Sequence, residues 1–458
     1  MLVINPATGE VLREVAEADH AAVAAACRRA RAAQPAWAAA PLAARAEAIR
    51  RFRALAVERA EPLARTLTLE VGKPITQARR ELAGLLPRID FFLAAVEGAL
   101  ADEVVLASSA DGLEERIARE PLGLVANVSA WNYPWYVGAN VFLPALLTGN
   151  AVLYKPSEFA TLTGLAIAEL LHETGIPADV FQVLVGGGRV GAMLLDEPVD
   201  AVCFTGSHAT GVKVAAAMAP RLVRAQLELG GKDPAYVCDD VDVDQVAAAV
   251  ADGAFYNTGQ SCCAVERVYA HERVWPRFVE AFVATVRGYV VGDPFDEHTY
   301  VGPLARREAA VAHQEAQVAD ALGRGARVLT GGRRVERPGF FFAPTVLVDV
   351  DHTMAVMREE TFGPLIGLAR AGSDDEAVAL MNDTPYGLTA AVYTADRARA
   401  ERVLARVNTG TAYWNCCDRV SPRLPWTGRG ASGLGVTLSR DGIAAFVRPK
   451  AWHLRGAP

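Results

Sequence analysis

Between Gly123 and Leu229 the sequence carries Gly123-Leu-Val-Ala-Asn-Val128, Ala151-Val-Leu-Tyr154, Phe181-Gln-Val-Leu-Val185, Ala201-Val-Cys-Phe204 and Gln226-Leu-Glu-Leu229, five short apolar runs separated by helical patterns. Such runs are too short for helices and suit strands buried on both faces, and intervening helices return the chain to start each parallel neighbour. The alternation predicts a doubly wound α/β sheet. A second alternating region follows from about Asp233 to Thr394, with strand candidates Pro234-Ala-Tyr-Val-Cys238, Arg267-Val-Tyr-Ala270, Thr345-Val-Leu-Val348 and Ala390-Ala-Val-Tyr393. The expected fold class is therefore α/β, with two doubly wound units.

Outward from this centre, Asp19 to about Ala101 is rich in Ala, Leu, Arg and Glu with apolar residues spaced by three and four, as in Ala48-Ile49-x-x-Phe52-x-x-Leu55-Ala56, which predicts amphipathic helices. Residues 103–120 read as two strands about the turn Asp111-Gly112, a hairpin suited to an assembly arm. No charged residue occurs between Glu120 and Lys155, but Asn127, Ser129, Asn132, Pro134, Asn140, Pro144, Thr148 and Asn150 interrupt the stretch, so a strand, a loop and a buried helix are expected there and no membrane span.

The chain has 458 residues, a net charge of −7, 52% hydrophobic and 22% charged residues, and Gly and Pro spread along it, the profile of an ordered globular protein. Without a basic run interleaved with aromatics, nucleic acid is not an expected partner. The seven cysteines form neither a disulfide framework nor a zinc ligand set, and the eight histidines show no paired ligand spacing, so no metal site is expected. No basic segment followed by an apolar stretch opens the chain, and a cytoplasmic, reducing setting is expected.

Several segments carry candidate chemistry. Gly186-Gly187-Gly188-Arg189-Val190-Gly191 follows a strand and opens a helix, as a dinucleotide-binding turn does, although packing alone also selects such glycines. Phe204-Thr205-Gly206-Ser207, with Gly211 four residues on, reads either as a helix N-terminus that holds a pyrophosphate or as a plain N-cap. Lys155-Pro156-Ser157-Glu158 places a cation and a carboxylate at a strand end, groups that suit ribose hydroxyls and equally a solvated loop. Glu228, between Leu227 and Leu229, is either a surface residue of an alternating strand or a buried carboxyl whose raised pKa suits it to act as a base. In Asn257-Thr258-Gly259-Gln260-Ser261-Cys262-Cys263-Ala264 a small polar loop presents a candidate nucleophile, whereas Cys27, Cys203 and Cys238 read as inert buried thiols.

Taken together, and in this order along the chain, Asn5-Pro6-Ala7-Thr8-Gly9-Glu10, Glu70-Val71-Gly72-Lys73-Pro74, Trp131-Asn132-Tyr133-Pro134, Lys155-Pro156-Ser157-Glu158, Phe204-Thr205-Gly206-Ser207, Glu228-Leu229-Gly230-Gly231-Lys232, Gly259-Gln260-Ser261-Cys262 and Glu359-Glu360-Thr361-Phe362-Gly363-Pro364 resemble the NAD(P)-dependent aldehyde dehydrogenase superfamily over nearly the whole chain. The resemblance implies oxidation of an aldehyde to a carboxylic acid through a thiohemiacetal and a thioester. It implies that Cys262 is the nucleophile, that Asn132 donates to the oxyanion with the Cys262 N–H, and that Glu228 activates water. At the cofactor it implies Trp131, Lys155 and Glu158 with Gly206, Ser207 and Gly211, and Glu360 and Phe362 at the nicotinamide end. Glu158 can accept from a ribose 2′-hydroxyl and repels a 2′-phosphate, which favours NAD over NADP.

The resemblance further implies a cofactor-binding domain of residues 1–102 and 121–230, a catalytic domain of residues 231–432, and an arm of residues 103–120 and 433–458 that extends a neighbour's sheet in a homodimer or homotetramer. Trp135, Tyr136, Val137 and Asn140 form one wall of a substrate tunnel on this reading, with Trp414, Cys416, Cys417 and Trp426 as parts of another, or else these aromatics are core. Two departures bear on substrate. Val141 stands where many members carry a proton-relay lysine, and Asn140 stands where members acting on succinate semialdehyde carry an arginine, which disfavours a dicarboxylic semialdehyde unless another arginine replaces it. A coenzyme A-acylating relative is the alternative, disfavoured by the retention of Glu228, and a silent scaffold is disfavoured by the retention of Cys262, Glu228 and Asn132.

Overall fold

The computed structural model describes residues 1–107 and 112–455. Four helices, His20–Ala39, Leu42–Glu58, Ala60–Val71 and Ile75–Leu100, occupy the segment whose apolar spacing predicts them. The first is opened by the Asp19 side chain accepting from the Ala22 N–H at 2.8 Å. The third ends at Gly72, whose φ of 80° is left-handed and whose missing Cβ would fall 2.4 Å from Pro303.

The apolar runs become a six-stranded sheet in the order Gly433–Leu434, Arg224–Glu228, Ala201–Thr205, Leu124–Val128, Ala151–Lys155, Phe181–Val183, parallel except for the two-residue strand at its edge. From Leu124–Val128 the chain winds first to one side and then, through Ala201–Thr205, to the other. Opposite winding opens a crevice beyond the carboxyl ends of these two central strands, the place where such sheets bind ligands. The four N-terminal helices pack onto this sheet in one core, which contains Phe52, Leu85, Phe92, Phe142, Tyr154 and Phe181. Each such side chain stabilises the fold by about 1.5–3 kcal/mol through burial.

A seven-stranded sheet follows, in the order Arg327–Thr330, Thr345–Val348, Leu365–Ala371, Arg267–His271, Pro234–Val237, Thr389–Tyr393, Thr411–Trp414, parallel except at Arg327–Thr330. Tyr236 enters the core on one face and Val237 the core on the other, as period-two alternation requires. Three of these strands, Arg327–Thr330, Leu365–Ala371 and Thr411–Trp414, go beyond the sequence reading. Leu365–Ala371 is interrupted by Gly367, where a Cβ would meet the Met357 sulfur at 2.6 Å, so the glycine reflects a close neighbour and not a strand end.

Glu103–Leu106, Leu113–Pro121 and Val447–Arg455 make a three-stranded antiparallel sheet with Leu113–Pro121 in the middle. Asp111 of the expected turn lies outside the described residues. Gly433–Leu434 pairs with the first sheet, and Leu438, Ile443 and Phe446 join the first core, so the chain enters the three-stranded sheet only at Val447. Between Glu120 and Lys155 lie the expected strand and loop, and in place of the one expected buried helix two, Pro134–Val137 and Ala139–Leu147; no described helix is long and apolar enough to cross a membrane.

Candidate active site

A cavity of about 590 Å³ opens at the crevice of the six-stranded sheet and is closed by loops from the second sheet. Asn132, Lys155, Glu158, Ser207, Glu228, Cys262, Glu360 and Phe362 all line it, together with Trp131 and Gly206. Residues far apart in sequence therefore converge on one space.

The cysteine loop begins where helix Val243–Phe255 ends. Asn257 and Thr258 adopt left-handed φ of 53° and 61°, conformations that cost about 1–3 kcal/mol each for residues with a Cβ. Hydrogen bonds hold them there. The Asn257 N–H donates to Gln77 Oε1 at 2.9 Å, its side-chain amide donates to the Gln260 carbonyl at 2.9 Å and the Asn132 carbonyl at 3.2 Å, and Thr258 Oγ1 accepts from the Gly302 N–H at 3.0 Å. The result is that Cys262 is half-buried at the cavity while Cys263 is buried on the far side, its thiol donating to Asp418 Oδ1 at 3.0 Å. Its hydrogen bond with Cys262, burial and the Asp418 carboxylate push the Cys263 thiol well above its ordinary value, so it stays protonated and inert. Burial likewise raises Cys27 to about 11 and both Cys203 and Cys238 to about 12.

Asn132 sits on the loop after strand Leu124–Val128. Its side-chain amide bonds to no described residue and faces the cavity, whereas its carbonyl accepts from Lys73 Nζ at 2.7 Å as well as from Asn257. Lys73 forms an ion pair with Glu81, both fully buried, and Glu81 Oε1 accepts the Trp135 N–H at 3.0 Å, so the pair grips the loop at Asn132 and three residues after it. Burial lowers Lys73 and raises Glu81, and each charge opposes the shift of the other. Glu70, three residues before Lys73, caps helix Thr161–Glu173 through the Leu162 and Thr163 N–H groups.

Glu228 ends strand Arg224–Glu228 and is 9% exposed, the buried alternative of its two readings. One carboxyl oxygen accepts from Thr437 Oγ1 at 3.2 Å and the other has no partner. Burial pushes its pKa up to about 8 against the hydrogen bonds that lower it. Glu360 is raised to about 8 by burial and then by the neighbouring Glu266. Gly230 leaves room for this carboxyl, since a Cβ there would fall 2.0 Å from Glu360 Oε1 and displace it. Glu266, paired with Lys232 at 2.7 Å, accepts the Thr361 and Phe362 N–H groups at 2.8 and 2.9 Å and so fixes the loop that carries Glu360. The Phe362 ring meets Trp131 edge-on at 5.5 Å.

At the other end, Lys155 Nζ stands 3.5 Å from Glu158 Oε2 at the mouth of strand Ala151–Lys155. Ser207 occupies the N-cap position of helix His208–Met218, but its hydroxyl bonds to Thr210 Oγ1 and not to the backbone, and both residues line the cavity. Gly188 and Gly191, the first and fourth residues of the helix Gly188–Asp196 that follows Phe181–Val183, also line it, with open space where a Cβ would stand. A groove with two helix N-termini, a Lys–Glu pair and a buried Glu at the far end fits a dinucleotide. Gly211 is not brought to this groove. It lies in the helix against Leu229, where a Cβ would come within 2.5 Å, so its role is packing.

The tunnel residues do not line this cavity either. Trp135 is fully buried in the first core, the packing reading of that residue. Tyr136 is half-buried and stacks parallel on Tyr133 at 5.7 Å, Val137 is half-buried, and Asn140 is buried with an unpartnered Oδ1. Trp426 is core, Trp414 is 40% exposed, and Cys417 is buried against the Tyr393 hydroxyl, so these do not form one wall with Cys416. Sequence reading missed Glu81, Glu266, Thr437 and Asp418, which support neighbours from distant segments and carry no local signal. Lys73 and Asn257 lie inside quoted motifs, which was a signal without a role.

The chain matches the family model described as "Aldehyde dehydrogenase family" over residues 1–452. It is 35% identical to aminoaldehyde dehydrogenase 2, peroxisomal, of Malus domestica, covering 98% of this chain and 91% of that protein. It is also 35% identical to the NADP(+) succinate-semialdehyde dehydrogenase of Deinococcus radiodurans, covering 98% and 93%. Among solved structures, the NAD-dependent aldehyde dehydrogenase from Sinorhizobium meliloti superposes with a TM-score of 0.97 at 34% identity, covering all of this chain and 92% of that one. This chain belongs to the aldehyde dehydrogenase family and oxidises an aldehyde with NAD or NADP as the acceptor.

Proposed function

We propose that Cys262 is the nucleophile, Asn132 with the Cys262 N–H the oxyanion hole, and Glu228 the base that activates water. The observation that carries this is the convergence on one cavity of a half-exposed thiol, an unpartnered amide and a buried carboxyl. The Cys262 thiolate adds to the carbonyl carbon, and the Asn132 amide donates to the oxygen as negative charge develops there. Phe362 and Glu360 would hold a nicotinamide and its ribose at this end of the cavity, where the ring would supply the acceptor for the hydride that leaves the aldehyde carbon. A thioester remains on Cys262. Glu228 takes a proton from water, the hydroxyl adds to the thioester carbon, and the carbon–sulfur bond breaks to release the acid and the Cys262 thiolate. At neutral pH Glu228 is largely protonated, so its charge does not oppose the thiolate in the first half of the cycle.

Glu158, at the ribose position, favours NAD over NADP by repelling a 2′-phosphate. Residues 1–102 and 121–230 form the cofactor-binding domain and residues 231–432 the catalytic domain. The arm of residues 103–120 and the C-terminal segment joins copies of the chain into a homodimer or homotetramer, supported by the open edge of Val447–Arg455 and by Val104 and Val105, 61% and 58% exposed. Seven free thiols suit a reducing cytoplasm. The test is reduction of NAD and of NADP with aliphatic, aromatic and charged aldehydes in the absence of coenzyme A. Acid formed without coenzyme A supports hydrolysis, and turnover only with added coenzyme A overturns the role of Glu228.

A further inference from the structure

Thr437 is 2% exposed, and among the described residues its hydroxyl makes a single hydrogen bond, to Glu228 Oε1 at 3.2 Å. Glu228 lines the cavity and Thr437 does not, so the hydroxyl holds the carboxyl from behind. The other oxygen, Glu228 Oε2, is buried without a partner. Burial disfavours the charged carboxylate, and the Thr437 hydroxyl, the Gln226 amide and the Trp426 indole oppose it in that order. All three are neutral. Gln226 stands two residues before Glu228 on the same strand face, its Nε2 outside hydrogen-bond geometry and its Oε1 accepting from the Cys203 thiol at 3.8 Å. Burial and then the charge of Glu228 raise that thiol, which stays neutral as well.

Residues 426–437 keep Thr437 in place. Trp426 and Thr437 form an antiparallel bridge, the Trp426 N–H donating to the Thr437 carbonyl at 2.8 Å and the Thr437 N–H to the Trp426 carbonyl at 2.9 Å. Between them Gly433 pairs with Glu228 and Leu434 with Leu227, and the Ser432 carbonyl accepts the Leu229 N–H at 3.0 Å. Gly433 has a φ of 134°, and a Cβ there would fall 2.0 Å from the Leu227 carbonyl oxygen, so this contact is backbone against backbone. Directly after Thr437 the chain turns through Leu438 and Ser439, whose left-handed φ of 58° and 53° persist only where the surroundings impose them. Leu438 is fully buried, and the Ser439 N–H donates to the Pro422 carbonyl at 2.8 Å. The segment thus grips the strand end at Glu228 through the backbone and the carboxyl through one hydroxyl.

We propose that Thr437 is the positioning residue of Glu228: its hydroxyl fixes the plane of the carboxylate so that Oε2 is presented to the water that attacks the thioester. This rests on the assignment of Glu228 as the base above. Anchoring one oxygen fixes the last torsion of a side chain whose terminal rotation is otherwise broad. The same hydrogen bond stabilises the carboxylate over the acid, so the group that orients the base also keeps it available near neutrality. The proton taken from water goes to Oε2, the hydroxyl oxygen bonds to the thioester carbon, and Oε1 keeps Thr437 as its donor throughout.

The test follows thioester decay by rapid quench from pH 6 to 10 in the full-length enzyme, with the aldehyde of the panel above that turns over fastest, beside the first-turnover formation of reduced dinucleotide. Thr437→Val keeps the shape of the side chain and removes the donor. The midpoint of decay should rise from about 8 by about one pH unit and the plateau above it should fall about tenfold, so that decay at pH 7 slows about 10²-fold. First-turnover hydride transfer, which does not use Glu228, should stay within about threefold. Thr437→Ser should restore midpoint and plateau, a rescue that a packing role would not give, since serine lacks the methyl group. Should Thr437→Val not fold, Thr437→Cys, a weak donor of similar size, takes its place with about half the shift in midpoint. A wild-type midpoint and plateau in the variant, or equal losses in both half-reactions, overturn the inference. If Glu228→Gln accumulates thioester while Thr437→Val decays like the wild type, the inference falls alone. If Glu228→Gln also decays like the wild type, or no aldehyde is oxidised, the base assignment falls with it.

Discussion

The side-chain amide of Asn257 donates to the main-chain carbonyl of Asn132 at 3.2 Å and to that of Gln260 at 2.9 Å, joining the two loops that build the proposed oxyanion hole. One donor comes from each loop, the Asn132 amide and the Cys262 N–H, so their separation depends on this bridge. Asn257 also has the left-handed φ that Asn tolerates better than most residues. Asn257→Ala removes the bridge and worsens the backbone strain. It should lower kcat by about 10²-fold, the scale of a small misplacement of catalytic groups, with a smaller change in KM. An unaltered kcat would mean that the loops hold their spacing without it.

Cys262 and Cys263 are adjacent but face different surroundings, and this predicts opposite outcomes. Cys262→Ala should abolish turnover, whereas Cys263→Ala should retain it, since Cys263 is held as a thiol against Asp418. With the protein folded, a limiting alkylating reagent should label Cys262 ahead of the other six cysteines, as mass spectrometry of the digest would report. Full turnover by Cys262→Ala would remove it as nucleophile.

The roles of Glu228 and Gly211 show where sequence is informative and where it is not. The alternation of apolar runs identified the parallel sheet, because burial on both faces leaves a compositional mark on each strand. The pattern Leu227-Glu228-Leu229 was compatible with an exposed or a buried carboxyl, since the answer depends on Thr437 and on the edge strand Gly433–Leu434, which arrive from two hundred residues later. Gly211 read as a phosphate-binding glycine, but its lack of a side chain serves Leu229.

Glu228 titrates near 8 because burial penalises its charge, and only the carboxylate can take a proton from water. The deacylation rate should therefore rise about tenfold per pH unit below about 8 and level above it. Rapid-quench measurement of thioester decay would follow this directly, and Glu228→Gln should accumulate thioester at every pH. The linkage has a definite sign. A carboxyl whose folded pKa is raised stabilises the fold fully below its unfolded value of about 4.3, and that contribution is lost as pH rises through about 8. Unfolding of Glu228→Gln should be less sensitive to pH across that window. A decay rate flat from pH 6 to 9 would exclude Glu228 as the base.

The pair Lys73–Glu81 combines two fully buried charges with two backbone contacts, to the Asn132 carbonyl and the Trp135 N–H. Removing one charge leaves the other buried without a partner, so Lys73→Met should cost about 3–5 kcal/mol of stability. Glu81→Gln keeps an acceptor for Trp135 but leaves Lys73 unneutralised, and should cost a similar amount. The double variant buries no charge and should lose less than the sum of the two. Denaturant unfolding of the four proteins closes this cycle, and simple additivity would mean that the two charges do not stabilise one another. Catalysis should divide differently, because both variants that lack Lys73 also lose a donor to the Asn132 carbonyl. Their kcat should fall even where stability recovers, which separates the grip on the oxyanion loop from the electrostatic pair itself.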